Sequence, residues 1–301
     1  MSAREQYLAV VDDVFRAYGE GRFADGLARL DSVPEELDAW QAELAYHRAC
    51  LLGASGEPDA ALAALEAATD AGGWWDPAVL RDEDDLAALR SRPDFEALVA
   101  TSAPRWEAGQ ALDRSGDLLL EPEGAPRGVL VALHGAEEDA ADAVRAWGAA
   151  VETGLTVLAV RSSRRTSPSY RTWGPDAASA ADLPDALTTH GIETGTPLYV
   201  AGFSAGGRIA IDWALRSRPV PVTGVIAVAP ALTAAALPSV APGAELAPAR
   251  ILVGGEDDLL DDVSAVGESL AGAGFRLDVI DGLGHEVPEA QVRQALEGLA
   301  G

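Results

Sequence analysis

The sequence predicts an all-helical region over residues 1–110, followed by an α/β region over residues 111–301. In the first region, apolar residues recur at spacings of three and four, as on one face of a helix. From about residue 115 onward, short apolar runs rich in Val, Ile and Leu alternate with helical stretches. Continuous apolar strands separated by helices are typical of a parallel sheet that is covered on both faces.

Charge and composition disfavour several classes of partner. The chain has 48 acidic and 22 basic residues and a formal net charge of −26, which disfavours binding to nucleic acid and to anionic membranes. No apolar run approaches the length of a membrane span, and the first residues carry acids where a signal peptide is apolar. We therefore expect a cytoplasmic protein. The single cysteine, Cys50, allows no disulfide within the chain.

A weak repeat lies in the helical region. Gly21 and Gly56 stand 35 positions apart, and each is followed five positions later by a small residue, Gly26 or Ala61. Leucines follow these small residues at matching places. The pattern resembles the tetratricopeptide repeat, whose period is about 34 residues, although any array of helical hairpins would also fit. The helical region is therefore a candidate surface for a protein partner or for self-association.

Seven apolar runs are the candidate strands of the second region: residues 118–122, 128–135, 155–163, 197–204, 222–230, 249–258 and 275–281. In an open parallel sheet, ligands bind at the carboxyl ends of the strands. The candidate catalytic residues all follow such strand ends, so we expect one site at this edge of the sheet.

The strongest motif is Gly202-Phe203-Ser204-Ala205-Gly206, between an apolar strand and a helical stretch. G-x-S-x-G in this setting predicts a sharp turn that exposes the serine hydroxyl as a nucleophile. The backbone N–H of Ala205, at the start of the helix, would face a developing oxyanion. The alternative is an ordinary glycine-rich turn.

A second motif, Leu133-His134-Gly135-Ala136, ends an earlier strand. The N–H of Ala136 would pair with that of Ala205 to form an oxyanion hole. We interpret His134 as a structural part of this loop rather than as a base.

His285 lies on a glycine-flanked loop after the last strand, where a general base for the serine is expected. The acid that orients it belongs on the loop after residues 249–254. The usual arrangement is Gly-x-x-Asp. With Gly254 as its glycine the acid is Asp257, which we prefer, and with Gly255 it is Asp258.

Together these motifs resemble the α/β-hydrolase superfamily, and are most similar to its phospholipase/carboxylesterase and dienelactone-hydrolase-like branches. The resemblance covers residues from about 115 to 301. It implies a Ser-Asp-His acyl-transfer site of Ser204, Asp257 and His285, with no metal and no organic cofactor.

Only residues 231–248 separate the fifth and sixth apolar runs, which leaves no room for a cap domain. Two segments are candidates to cover the site instead. In residues 161–176, Tyr170 and Trp173 either bind substrate at the rim or belong to a surface loop whose Trp173 packs on the core. The other candidate is the helical region, which we expect to dock rigidly through its short apolar connection.

The sequence therefore predicts a carboxylesterase-like serine hydrolase acting on a small-molecule ester with a small or medium acyl group. Hydrolysis of a peptide or thioester on the same triad is one alternative. The other is a non-catalytic scaffold that binds proteins through its helical region.

Overall fold

The computed structural model describes residues 3–110, 115–174, 177–216, 221–237, 246 and 248–299. The chain forms two compact units: Met1–Ala111 with Arg165–Tyr170, and Leu112–Arg164 with Arg171–Gly301. Among the residues described, no helix combines the length and the apolarity that crossing a bilayer requires.

The first unit is helical. Its α-helices are α1 (Ala3–Gly19), α2 (Phe23–Asp31), α3 (Gln41–Ala54), α4 (Pro58–Asp70), α5 (Pro77–Asp82) and α6 (Pro93–Gly109), with 3-10 turns at Glu35–Trp40 and Asp84–Leu89. Prolines open α4, α5 and α6, because the first helical position needs no backbone N–H. Gly21 and Gly56 take positive φ angles of 67° and 82° in the turns before α2 and α4, which explains glycine at both repeat positions.

The repeat positions are internal to this unit. Helix α1 packs on α2 and α3 packs on α4. The small residues Gly26 and Ala61 are buried in these helices. A Cβ on Gly26 would stand 3.0 Å from a methyl carbon of Leu51, so the absence of a side chain at Gly26 permits close helix packing. The specific likeness to the tetratricopeptide repeat stays a prediction.

The segment Arg165–Tyr170 completes the first unit, although it lies far away in sequence. The Tyr170 hydroxyl hydrogen-bonds to that of Tyr7 and lies 3.2 Å from Nε2 of His47. The buried carboxylate of Glu43 accepts hydrogen bonds from the Ser167 hydroxyl at 2.5 Å and the Ser169 N–H at 2.7 Å. These contacts make the segment part of the helical core.

The second unit is built on a seven-stranded sheet. Its strands are β1 (Leu118–Leu120), β2 (Val129–Leu133), β3 (Thr156–Val160), β4 (Leu198–Phe203), β5 (Gly224–Val228), β6 (Ala249–Gly254) and β7 (Phe275–Ile280). Their order is β1-β3-β2-β4-β5-β6-β7, with β1 antiparallel to β3 and all other pairs parallel.

Helices cover both faces of this sheet: α7 (Ala140–Trp147), α8 (Ala177–Thr189), α9 (Ala205–Arg216), α10 (Leu260–Leu270) and α11 (Glu289–Gly298). Strands β2, β3 and β5 are buried at every residue, as expected for strands with apolar contacts on both faces. Leu118 and Leu119 are exposed, in keeping with the antiparallel edge position of β1. Each predicted run contains one strand, and the loops that carry the motifs leave the carboxyl ends of β2, β4, β6 and β7.

Candidate active site

Ser204 occupies the sharp turn between β4 and α9. Its φ angle is +50°, in the left-handed region that non-glycine residues rarely adopt. The two flanking glycines allow this turn, because a Cβ on Gly202 would overlap the Gly206 backbone and one on Gly206 would overlap the His134 carbonyl oxygen. The G-x-S-x-G spacing therefore has a steric cause, and the result is a half-exposed serine hydroxyl.

Three loops bring a serine, a histidine and a carboxylate into one hydrogen-bonded chain. His285 Nε2 lies 3.1 Å from Ser204 Oγ, and His285 Nδ1 lies 2.9 Å from Asp257 Oδ2 and 3.1 Å from Oδ1. A carboxylate can only accept, so Nδ1–H donates to Asp257 and Nε2 is left to accept the Ser204 proton. This arrangement can activate the serine hydroxyl.

The two candidate acids differ in placement. The Asp257 side chain is 0% exposed, and its Oδ1 also accepts the N–H of Leu259 at 2.8 Å. Asp258 is exposed. The geometry thus pairs Asp257 with His285.

The oxyanion loop, residues 134–138 with the predicted donor Ala136, lies beside the serine turn. Gly135 N–H donates to Glu138 Oε2 at 2.6 Å, and Glu137 N–H donates to the Arg171 carbonyl at 2.7 Å. Between them, the N–H of Ala136 has no acceptor among the described residues. Ala205 is the first residue of α9, a position whose N–H has no intrahelical partner. Both donors are available for a ligand oxygen.

His134 is buried and holds this loop through both ring nitrogens. Its Nδ1–H donates to the Gly135 carbonyl at 2.6 Å, and Nε2 accepts the N–H of Ser162 at 3.2 Å. Burial lowers the pKa of His134 to about 4, so the ring is neutral near pH 7. A neutral ring with both nitrogens occupied fits the structural role.

Tyr170 and Trp173 lie in different units, and both side chains are buried. Tyr170 is buried in the first unit, in the cluster with Tyr7 and His47. Trp173 is 2% exposed, packs in the core of the second unit against Trp213, and donates its Nε1–H to the His134 carbonyl at 2.8 Å. These placements favour the second alternative, in which Trp173 packs on the core.

Two residues near the site were not singled out from the sequence. The ring of Phe203 lies 4.9 Å from that of His285, and Glu138 fixes the Gly135 amide. Phe203 is the variable position before the serine in the motif, so its place next to Ser204 was a usable signal. Nothing in the spacing distinguishes Glu138 from its acidic neighbours.

The structure also brings together a group that the spacing did not suggest. In the first unit, ligand atoms of Cys50, Glu83 and Asp85 lie within 4.8 Å of one another. Tyr46 donates to Glu83 at 2.8 Å and Tyr18 donates to Asp85 at 2.9 Å, so tyrosine hydroxyls already hydrogen-bond to both carboxylates.

The segment 231–248, where no cap was expected, lies partly outside the described residues. Its described part contains a 3-10 turn at Ala234–Ala236.

Comparison with known proteins agrees with this architecture. Residues 6–110 match the family model described as the N-terminal domain of A/B hydrolase-like proteins. An uncharacterized protein from Bacillus cereus ATCC 10987 is similar over 97% of this chain and 97% of its own, with 19% identity and a TM-score of 0.50. No curated protein matches the sequence.

Two smaller solved structures resemble only part of the chain. Esterase PE8 is similar over 62% of this chain and 98% of its own, with 22% identity and a TM-score of 0.49. Acyl-protein thioesterase 2 of Zea mays is similar over 62% and 99%, with 18% identity and a TM-score of 0.49. The fold and the Bacillus cereus likeness confirm the predicted architecture: an α/β-hydrolase fold preceded by an all-helical region.

Proposed function

We propose that the protein is a serine hydrolase that cleaves a carboxylic ester of a small or medium acyl group. The observation that carries the proposal is the chain of hydrogen bonds from Ser204 through His285 to Asp257. Its members come from three separate loops at one edge of the sheet. A merely structural serine needs neither a strained backbone nor an imidazole that is itself oriented by a buried carboxylate.

In the proposed reaction, Ser204 Oγ attacks the ester carbonyl carbon while His285 Nε2 takes the hydroxyl proton. The N–H groups of Ala136 and Ala205 hold the oxyanion of the tetrahedral intermediate, and each such donor is worth about 3–4 kcal/mol of transition-state stabilisation. His285 then gives its proton to the leaving alkoxide, and the C–O bond of the ester breaks. Asp257 keeps the proton of His285 on Nδ1 throughout.

A water molecule completes the cycle. His285 takes a proton from the water, whose oxygen attacks the acyl-enzyme carbonyl. The bond to Ser204 Oγ breaks, the serine regains its proton from His285, and the free acid leaves. These residues supply every proton transfer that the reaction requires.

A fluorophosphonate probe tests the proposal, because it labels a serine that an imidazole has activated. We expect the full chain to be labelled at Ser204, Ser204→Ala to remain folded and unlabelled, and the exposed control Ser269→Ala to be labelled like the parent. Absence of labelling in a folded parent protein would favour the scaffold alternative.

Parent protein that has not been treated with the probe is then given matched oxygen esters, thioesters and peptides. Fastest turnover of the oxygen esters supports the proposal, whereas a clear preference for thioesters or peptides would replace it. Binding of a protein partner, or self-association, through the helical unit is a separate prediction.

A further inference from the structure

A cavity of about 140 Å³ lies in the second unit, next to the loops that carry the proposed catalytic groups. His134, Phe203 and Val287 contribute to its lining, and these residues flank the oxyanion loop, Ser204 and His285 along the chain. Helix α7 supplies much of the remaining wall through Ala143, Ala146 and Trp147. The proposed mechanism does not use this cavity.

The position of the cavity indicates which part of an ester it would receive. In the proposed reaction, His285 returns its proton to the leaving oxygen, so the alcohol portion lies on the His285 side of the carbonyl. Phe203 packs against the His285 ring with a centroid distance of 4.9 Å, and Val287 lies two residues beyond His285. Both side chains line the cavity. The cavity therefore adjoins the leaving-group side of the site.

Size limits the group that fits. Cavities of about 150 Å³ with apolar linings take benzene. The lining here includes the aromatic rings of Phe203 and Trp147 and the small side chains of Ala143 and Ala146. A single aromatic ring or a short alkyl chain matches this space, whereas a long acyl chain does not.

Charge adds a second limit. The lining carries three carboxylates, from Glu138, Asp142 and Glu289, and one guanidinium, from Arg145. Arg145 forms an ion pair with Asp142 at 2.5 Å. The formal charge of the lining is therefore negative, in a chain whose net charge is −26. Such a lining favours a cationic or neutral group over an anionic one.

We propose that this cavity is the leaving-group subsite, and that it takes a ring-sized or short-chain alcohol portion that is neutral or cationic. The inference rests on the proposed function for the identity of the reaction. The presence, size and charge preference of the subsite can be tested by binding alone.

The binding test uses the full-length Ser204→Ala protein and three probes of similar size: benzyltrimethylammonium, benzyl alcohol and phenylacetate. We expect benzyltrimethylammonium and benzyl alcohol to bind, and phenylacetate to bind at least about tenfold more weakly. Adding Ala146→Phe fills the cavity from α7 and should remove binding. Adding Ala141→Phe, at an exposed position of the same helix, is the matched control and should not. Equal binding by the two variants would overturn the inference.

The kinetic test uses acetate esters that differ only in the alcohol. In Ala146→Phe, the ratio of kcat/KM for benzyl acetate to that for ethyl acetate should fall about tenfold or more relative to Ala141→Phe.

The charge of the lining is tested with Glu289→Gln. This change should lower the ratio of kcat/KM for the trimethylammonioethyl ester to that for ethyl acetate, and Glu297→Gln, exposed on the same helix, should not. Unchanged ratios, in a protein whose Ser204 reacts with the fluorophosphonate probe in a separate sample, would overturn the leaving-group assignment alone. If the probes bind but Ser204 is never labelled, the proposed function and that assignment both fail.

Discussion

Gly254 passes so close to Leu283 that a Cβ on Gly254 would overlap the Leu283 carbonyl oxygen. Gly254 ends β6 just before the Asp257 loop, and Leu283 lies two residues before His285. The Glu256 N–H also donates to the Leu283 carbonyl at 2.9 Å. The close approach of these two loops sets the distance between Asp257 and His285.

Gly254→Ala should therefore push the two loops apart. We expect a loss of about 1–3 kcal/mol in the free energy of unfolding, from overpacking, and a loss of about 100-fold in kcat/KM for an activated ester, from misplacement of His285. Gly255→Ala is the control, because the nearest atom to its Cβ would lie at an ordinary 3.4 Å. Chemical denaturation and steady-state kinetics measure both effects. Similar behaviour of the two variants would show that the Gly254 contact does not position the triad.

Asp257→Asn should cost far more activity than Asp258→Asn. An amide at position 257 allows His285 to turn or to adopt the other tautomer, and the loss for an equivalent change is about 10⁴-fold in kcat. Asp258 is exposed, so its amide should leave kcat nearly unchanged. The reverse order of effects would assign the acid to Asp258.

The sequence left this choice open for a physical reason. Gly254 and Gly255 both precede the acids at a suitable spacing, and spacing alone does not show which glycine lies against the histidine loop. The order Ser204, acid, His285 and the strand ends that carry them were readable, because each depends on local apolar runs and turn residues. The pairing of one acid with the histidine depends on a contact between loops about 28 positions apart.

The loop aromatics could not be placed from sequence for a similar reason. Tyr170 and Trp173 stand three positions apart in a segment without periodicity, so both fit a substrate rim equally well. The partners of Tyr170 are Tyr7 and His47, which are 163 and 123 positions away. Trp173 instead packs against Trp213 in the other unit. No local pattern encodes either set of contacts.

His134 should make the second unit sensitive to acid. Its folded pKa of about 4 lies below the ordinary value of 6.5, because burial disfavours the charged ring. Its contribution to stability is therefore fully present above pH 6.5 and is lost as the pH falls from 6.5 to about 4. The shift corresponds to about 3 kcal/mol.

Nitrogen NMR of the histidine rings tests this directly. We expect the His134 ring to remain neutral at pH 5.5, with its proton on Nδ1. A His134 ring that is mostly protonated at pH 5.5 would contradict the prediction. His134→Asn should flatten the dependence of Tm on pH between 6.5 and 4, while the buried His47 of the first unit, whose pKa burial also lowers to about 4, continues to contribute there.

Glu43 should give the first unit the opposite pH dependence. Burial raises the pKa of this carboxyl group, although the hydrogen bonds from Ser167 and Ser169 lower it in part. A raised pKa means that the contribution to stability is present below the ordinary value of 4.5 and is lost as the pH rises through the folded-state pKa. Once the pH exceeds the folded-state pKa, the parent protein must therefore hold a charged carboxylate in a buried position.

Glu43→Gln keeps an oxygen that can accept from Ser167 and Ser169 but removes the charge. The Tm of Glu43→Gln minus the Tm of the parent should increase as the pH rises from 4.5 to 7.5, whatever this difference is at pH 4.5. Glu57→Gln, at an exposed position of the same unit, is the control and should show no such trend.

Glu43→Ala, which removes the acceptor altogether, should also make the segment Arg165–Tyr170 more sensitive to limited proteolysis at pH 7.5 than Glu43→Gln does. A pH-independent difference between Glu43→Gln and the parent would mean that the Glu43 carboxylate is solvated, and that its hydrogen bonds alone hold the segment in the helical core.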